Sequence, residues 1–326
     1  MRKKRVLVIG GSGFIGSRLI DRLLSSGYDV KNYDIMESKK HPYLTVIGDV
    51  RDLEMLLKHG GEVDIIFNLA AEHKDNVYPS SLYYEVNVLG SQNVVHVAKL
   101  YNVKKIVFVS SAAIYGLHNN ISTETTPSNP FNDYGKSKLQ AEKVYDRWYN
   151  EDNRRTLIIV RPAAIFGEGN RGNIYNFMKF VLEKKYFIIG RGDNKKSIGY
   201  VENIADFLVF VLKLKEGNKY VFNYADKPDL SIKELTVIIK KIAGLKVPSI
   251  SIPYSVALGC GLMFDFLSKI FKRDFSISSQ RVKKLCSATQ ISCENIYRLG
   301  FVPRFTLEEA IERTLRHEFS DKIKRF

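Results

Sequence analysis

Tyr134-Gly135-Lys136-Ser137-Lys138 sets a phenol and an ammonium four residues apart, which puts them on one face of a helix if a helix begins there. A charged Lys138 beside the ring lowers the phenol's pKa and makes Tyr134 a usable base near neutrality. Upstream, Val109-Ser110-Ser111-Ala112-Ala113-Ile114-Tyr115-Gly116 closes an apolar run with two hydroxyls. A hydroxyl there can hold the reacting oxygen of a substrate while the phenol moves a proton on and off it.

A second constellation is Gly10-Gly11-Ser12-Gly13-Phe14-Ile15-Gly16, which follows the first apolar run and opens a helix expected from about Ser17 to Ser25. Gly10 permits a tight turn, Gly13 lets backbone approach a pyrophosphate at the positive helix end, and Gly16 allows close packing of helix on strand. Asp34 closes the second run eighteen positions beyond Gly16. This is the layout of a dinucleotide site. A carboxylate at Asp34 accepts from ribose hydroxyls and repels a 2′-phosphate, so NAD is expected rather than NADP. Asp49, in Gly48-Asp49-Val50, is a further candidate on the adenine side; its alternative role is to cap the helix starting near Asp52.

The elements that must position these groups follow from rhythm. Short β-branched runs at Arg5 to Ile9, Asp29 to Asp34, Leu44 to Ile47, Val63 to Ala70, Lys105 to Ser110 and Leu157 to Arg161 alternate with helical segments, which is βαβ grammar. Several are continuously apolar, as strands covered on both faces must be. The expected fold is α/β, a doubly wound parallel (Rossmann) sheet with a smaller, mostly helical C-terminal substrate domain. Residues 1–165 form the NAD-binding domain, with a returning segment near 195–225; residues 166–194 and 226–326 form the substrate-binding part.

The 326 residues are 45% hydrophobic, ordinary for a globular chain, and carry a formal charge of +15. That charge favours acidic partners. The basic residues are scattered and form no zinc-finger, RNP-type or basic-helix pattern, so nucleic acid is not an expected partner. The basic N-terminus is followed by too short an apolar run for an export signal, and a cytoplasmic location is expected. Cys260, Cys286 and Cys293 show no paired spacing and are read as reduced. The histidines form no metal-ligand pattern, so no metal is expected, and His73 and His118 are read as structural or solvated.

With Leu69-Ala70-Ala71, Asn87-Val88-Leu89-Gly90, Arg161-Pro162 and Tyr200-Val201-Glu202-Asn203, the chain resembles, over nearly its whole length, the extended short-chain dehydrogenase/reductase family of sugar-nucleotide epimerases and dehydratases. The resemblance implies Ser111 as catalytic hydroxyl, Tyr134 as base and acid, and Lys138 as a second contact to the nicotinamide ribose. Leu69, Ala70 and Ala71 would flank the cofactor, and Asn87 would be a structural polar group near the site. The implied chemistry is transient oxidation: Tyr134 takes the O4 proton as C4 gives hydride to NAD⁺, and the 4-keto sugar turns over and is reduced on its other face. Dehydratases of the family carry an Asp-Glu pair directly after the catalytic hydroxyl. Here those positions are Ala112 and Ala113, so elimination lacks its acid and base. A reductase consuming NADPH would conflict with Asp34, which leaves redox-neutral epimerisation, an isomerase reaction.

Ala71-Glu72-His73-Lys74-Asp75, Pro130-Phe131-Asn132-Asp133-Tyr134, Phe166-Gly167-Glu168-Gly169-Asn170-Arg171-Gly172-Asn173 and Arg281-Val282-Lys283-Lys284-Leu285-Cys286 look like the bacterial polyprenyl-diphosphate N-acetylglucosamine 4-epimerases. Those act on a sugar carried by undecaprenyl diphosphate for O-antigen (lipopolysaccharide) assembly. By this likeness Lys196 stands where relatives place an arginine on the substrate diphosphate, supplying charge without a bidentate fork. Arg171 and Asn173 are weaker candidates for the same group. Aligning Leu299-Gly300-Phe301 puts Ser287 and Ala288 where hexose-only enzymes carry a bulky aromatic, leaving room for a 2-acetamido group. A soluble UDP-sugar 4-epimerase would share every catalytic residue. A non-catalytic NAD-binding regulator is opposed by the intact Ser111, Tyr134 and Lys138. Homodimers by helix pairing are common in the family. Ile252 to Phe271, apolar but interrupted by Gly259, Gly261 and Asp265, with Lys269, Lys272 and Arg273 nearby, reads either as domain core or as an interfacial helix. The latter would hold a peripheral enzyme on an anionic membrane surface.

Overall fold

The structure is a computed structural model, and it describes residues 2–74, 77–116, 120–184, 186–246, 251–271, 279, 282 and 286–323. His118 and the basic residues 272, 273, 281, 283 and 284 lie outside these. Six strands, β1 (Arg5–Ile9), β2 (Asp29–Asp34), β3 (Thr45–Ile47), β4 (Ile65–Asn68), β5 (Lys105–Val109) and β6 (Thr156–Pro162), alternate with helices. The helices are α1 (Phe14–Ser25), α2 (Leu53–Gly60), α3 (Ser81–Tyr84), α4 (Gly90–Leu100) and α5 (Asp133–Asn150). A π-turn over Glu85–Leu89 joins α3 to α4. β4, β5 and β6 are buried along their whole length, the reason their sequences do not alternate.

Beyond β6 come β7 (Ala164–Phe166), α6 (Asn173–Leu182), β8 (Ile188–Ile189), β9 (Lys195–Tyr200), α7 (Val201–Phe210) and β10 (Lys219–Tyr224). They are followed by β11 (Asp226–Ser231), α8 (Ile232–Ile242), β12 (Ser251–Ile252), α9 (Tyr254–Phe271), α10 (Glu294–Arg298) and α11 (Leu307–Glu318). β10 adds to β6, so the large sheet has seven parallel strands in the order β10-β6-β5-β4-β1-β2-β3. A three-stranded sheet, β11-β9-β7, and a β12-β8 pair lie outside it.

The returning segment at 195–225 is therefore divided. α7 packs on α1 and β10 completes the large sheet, but β9 belongs to the small sheet. Its Ile198 and Tyr200 sit in a cluster with Phe166, Met178, Ile239 and Ile311, an apolar demand the large sheet does not meet. The C-terminal part also reaches back: Ile291, Cys293, Ile296 and Phe301 pack in the same core as Val6, Leu19 and Ile158. α1 begins at Phe14 rather than at Ser17 because Phe14 and Ile15 pack against that small-sheet cluster.

Candidate active site

The glycine loop is shaped for close approach. Gly10 has φ +81°, and a Cβ there would stand 2.6 Å from the Ala70 nitrogen, so the turn after β1 and the end of β4 meet backbone to backbone. Leu69 N–H donates to the Ile9 carbonyl (2.8 Å) and Ala70 N–H to Asn68 Oδ1 (3.1 Å); Ala71 follows directly. Gly13 caps α1 without a side chain, Gly16 is buried on it, and the first turn carries no acid, so the helix presents its positive end to an anion. Asp34 ends β2 beside the loop, accepting from Ser12 N–H (2.9 Å) and Met36 N–H (3.0 Å). These residues fit a dinucleotide: helix end and loop for the pyrophosphate, carboxylate for the ribose.

Tyr134 and Lys138 are brought to the end of β5 by the start of α5, where Asn132 accepts from Gly135 N–H (2.9 Å). A Cβ on Gly135 would lie 2.7 Å from the Ala113 carbonyl, so this glycine lets α5 touch the 3-10 turn Ala112–Tyr115. Ser111 caps that turn, accepting from Ala113 N–H (3.1 Å), and its hydroxyl stands near enough to Tyr134 to act on the phenol. The Tyr83 ring lies 6.4 Å from the Tyr134 ring.

Tyr134 and Lys138 take different immediate partners. Burial holds the Tyr134 hydroxyl above its ordinary value, and Ser111 draws it down. The Lys138 Nζ instead donates to the Val109 carbonyl (2.7 Å) and sits 4.5 Å over the Phe108 ring. Burial pushes this amine down to about 7, opposed by the Glu142 carboxylate.

Residues to which the sequence reading gave no role stand behind this set. Glu142 accepts from Ser110 Oγ (2.5 Å) and takes a two-point ion pair from Arg161 (2.9 and 2.7 Å). Arg161 also donates to Tyr115 Oη (2.9 Å), which donates to Asn223 Oδ1 (2.6 Å). The available signal was periodicity, since Tyr134, Lys138 and Glu142 recur every four residues, and Arg161 is the one charge in β6. Asn87 is buried, with its amide accepting from Glu72 N–H (2.9 Å) and donating to Ser137 Oγ (2.9 Å). It clips the segment after β4 onto α5, a structural polar role beside the site.

The outer candidates separate into groups. Lys196 Nζ donates to the Ser287 carbonyl (2.6 Å), and residue 196 bridges Thr289, so Lys196 and Ala288 are neighbours. Arg171 is ion-paired with the buried Glu318 (2.6 Å), which also accepts from Gly169 N–H (2.7 Å), and lies over the Tyr175 ring; Asn173 is exposed at the start of α6. Asp49 is chelated by Arg51 (2.6 to 3.1 Å), and the cap of α2 is Asp52, accepting from Met55 N–H (3.0 Å). Asp49 therefore caps no helix. Val50 is buried against Gly90. His73 is exposed, its Nδ1 3.4 Å from the Ala71 carbonyl.

A doubly wound sheet, a glycine loop backed by Asp34, and a Ser-Tyr-Lys set at the strand ends define a nicotinamide-dinucleotide enzyme that works at a substrate hydroxyl. The chain belongs to the NAD dependent epimerase/dehydratase family, which it matches over residues 6–225, and its cofactor is NAD. It is 44% identical, over 96% of its length and 95% of the relative's, to an Escherichia coli O157:H7 protein, N-acetyl-alpha-D-glucosaminyl-diphospho-ditrans,octacis-undecaprenol 4-epimerase. Its fold matches the Thermotoga maritima UDP-glucose 4-epimerase solved with UDP-glucose (TM-score 0.77, 22% identity, 97% of this chain and 99% of that one). It also matches the Bacillus cereus UDP-glucuronic acid 4-epimerase solved with NAD (TM-score 0.74, 20% identity, 96% and 98%).

Proposed function

We propose that the protein is a 4-epimerase interconverting N-acetylglucosamine and N-acetylgalactosamine carried on undecaprenyl diphosphate, and that it works as a peripheral enzyme on the cytoplasmic membrane face. The chemistry rests on Ser111 and Tyr134 standing together at the end of β5. Ser111 holds O4, and Tyr134 removes its proton as the C4 hydride departs. Bound NAD supplies the hydride acceptor and donor. After the 4-keto sugar has turned, Tyr134 returns the proton to O4. Lys138 provides the positive charge that favours the phenolate. The proton carriers for elimination are absent, because Ala112 and Ala113 follow Ser111.

The lipid handle is supported by the 44% identical relative and by α9. Ser255, Val256, Gly259, Cys260, Leu262, Met263 and Phe266 are exposed on this helix, and none is charged. Leu262 is 55% and Phe266 63% exposed. The helix's single acid, Asp265, turns the other way and accepts from Ser279 N–H (3.2 Å). An apolar outer face with its carboxylate withdrawn is the inverse of an ordinary surface helix. No helix among the described residues is long and apolar enough to cross a membrane, so α9 would lie in the interface, each basic residue near the anionic surface adding about 1 kcal/mol.

Incubation with lipid-linked and with UDP-linked N-acetylglucosamine, together with flotation on anionic vesicles, tests both parts. The lipid-linked sugar is turned over preferentially, and the protein floats and is partly released by salt. Phe266→Asp abolishes flotation. A protein that stays soluble with vesicles at low ionic strength and prefers the UDP-sugar is a soluble UDP-sugar 4-epimerase instead.

A further inference from the structure

We propose that Glu142 is a positioning residue that keeps Lys138 charged and fixed over the end of β5, and so sets the pH range over which Tyr134 works. The inference rests on the reading of Tyr134 and Lys138 as the proton-transfer pair. Tyr134, Lys138 and Glu142 lie one turn apart on α5, with Lys138 1% and Glu142 3% exposed. What holds the ammonium directly is a carbonyl dipole and a ring face; neither carries a full negative charge. The ionisable groups in this cluster are Tyr134 and Tyr145 on α5, Tyr83 against Tyr134, Arg161 on β6 and, through Arg161, Tyr115 and Glu124. Glu142 is the one whose charge acts on Lys138 to keep its proton.

The geometry couples the carboxylate to the ammonium a second way. Lys138 donates to the carbonyl of Val109, and the next residue, Ser110, donates its hydroxyl to Glu142. The carboxylate therefore pins the residue beside the acceptor on which Lys138 rests. Arg161 holds Glu142 from the far side and is itself anchored on Tyr115 Oη and the Glu124 carbonyl (3.1 Å). A buried ion pair is a poor way to stabilise a fold, since apolar side chains of similar volume do as well or better. A carboxylate retained one turn below Lys138 has a purpose if it serves that lysine.

The test compares Glu142→Gln with the double variant Glu142→Met/Arg161→Met, which removes both buried charges together and so leaves neither charge without its partner. In each, the high-pH limb of the kcat profile moves down by about one pH unit or more, because Lys138 loses its counter-charge. The double variant keeps a thermal midpoint near that of the unmodified enzyme. A double variant that folds and keeps the original pH limb shows Glu142 to be structural only. If no sugar tested is turned over by the unmodified enzyme, the substrate reading has failed, and phenolate absorbance decides this one. The ionisation present in the parent and absent from Tyr134→Phe moves to higher pH in Glu142→Gln if Glu142 acts through Lys138, and stays where it was if it does not.

Discussion

Lys138→Met removes an ammonium from the interior, and it should make the fold more stable at neutral pH while destroying activity. Burial depresses this amine from an ordinary 10.5 to about 7. The folded state therefore binds the proton less well than the unfolded chain does. The penalty is absent above about pH 10.5, grows as pH falls, and is complete below about pH 7. At about 1.4 kcal/mol per pH unit it reaches about 5 kcal/mol, of which about 2 kcal/mol remains near pH 9. Methionine keeps a side chain over the Phe108 ring, but it leaves the Val109 carbonyl without the donor now 2.7 Å away. That loss costs about 1–3 kcal/mol at any pH. The variant should gain about 2–4 kcal/mol near pH 7 and almost nothing near pH 9. Urea denaturation of both proteins at the two pH values measures it, and the change between them is the cleaner quantity because the carbonyl cost cancels. A variant less stable by the same amount at both would refute the reasoning.

Tyr134→Phe should bind NAD with unchanged affinity by calorimetry while turnover falls by about 10²–10⁴-fold, since the proton carrier is lost and the pocket is not; near-normal turnover would remove Tyr134 from the mechanism. Calorimetry should also show NAD binding far more tightly than NADP, with Asp34→Ser narrowing the gap; equal affinities in the unmodified protein would free Asp34 of that role. Ala288→Tyr should impair turnover of the 2-acetamido sugar more than that of the plain hexose, and an unchanged preference would show that residue 288 is not at the sugar's C2.

The cofactor half was legible because its demands are local: a glycine with positive φ at Gly10, a carboxylate ending β2 and apolar strands each leave a mark in a short window. The Tyr134–Lys138 spacing was legible for the same reason. The state of the pair was not, because it depends on Val109 and Phe108, which come from a strand about thirty residues upstream. Glu142 and Arg161 were missed as chemistry because a lone Glu on a helix reads as solvated; only the meeting of α5 and β6 makes them partners. The alternatives for Ile252 to Phe271 could not be separated by periodicity, since a core helix and an interfacial helix have the same apolar stripe. Which side of α9 faces outward is what separates them, and sequence does not carry it.

The plug of Ile291, Cys293, Ile296 and Phe301 in the first core has a consequence for how the chain is made. When Tyr224 has been synthesised, all seven strands of the large sheet exist, yet the Phe207 ring still lacks Phe301, which packs 5.2 Å from it in the finished protein. At the usual pace of translation that gap stays open for roughly 4–15 s. The nascent sheet spends this time with an apolar hole, a state that invites aggregation or chaperone capture. A gene fragment ending at residue 225 therefore lacks part of its own first core, whose lid comes from residues 291–301.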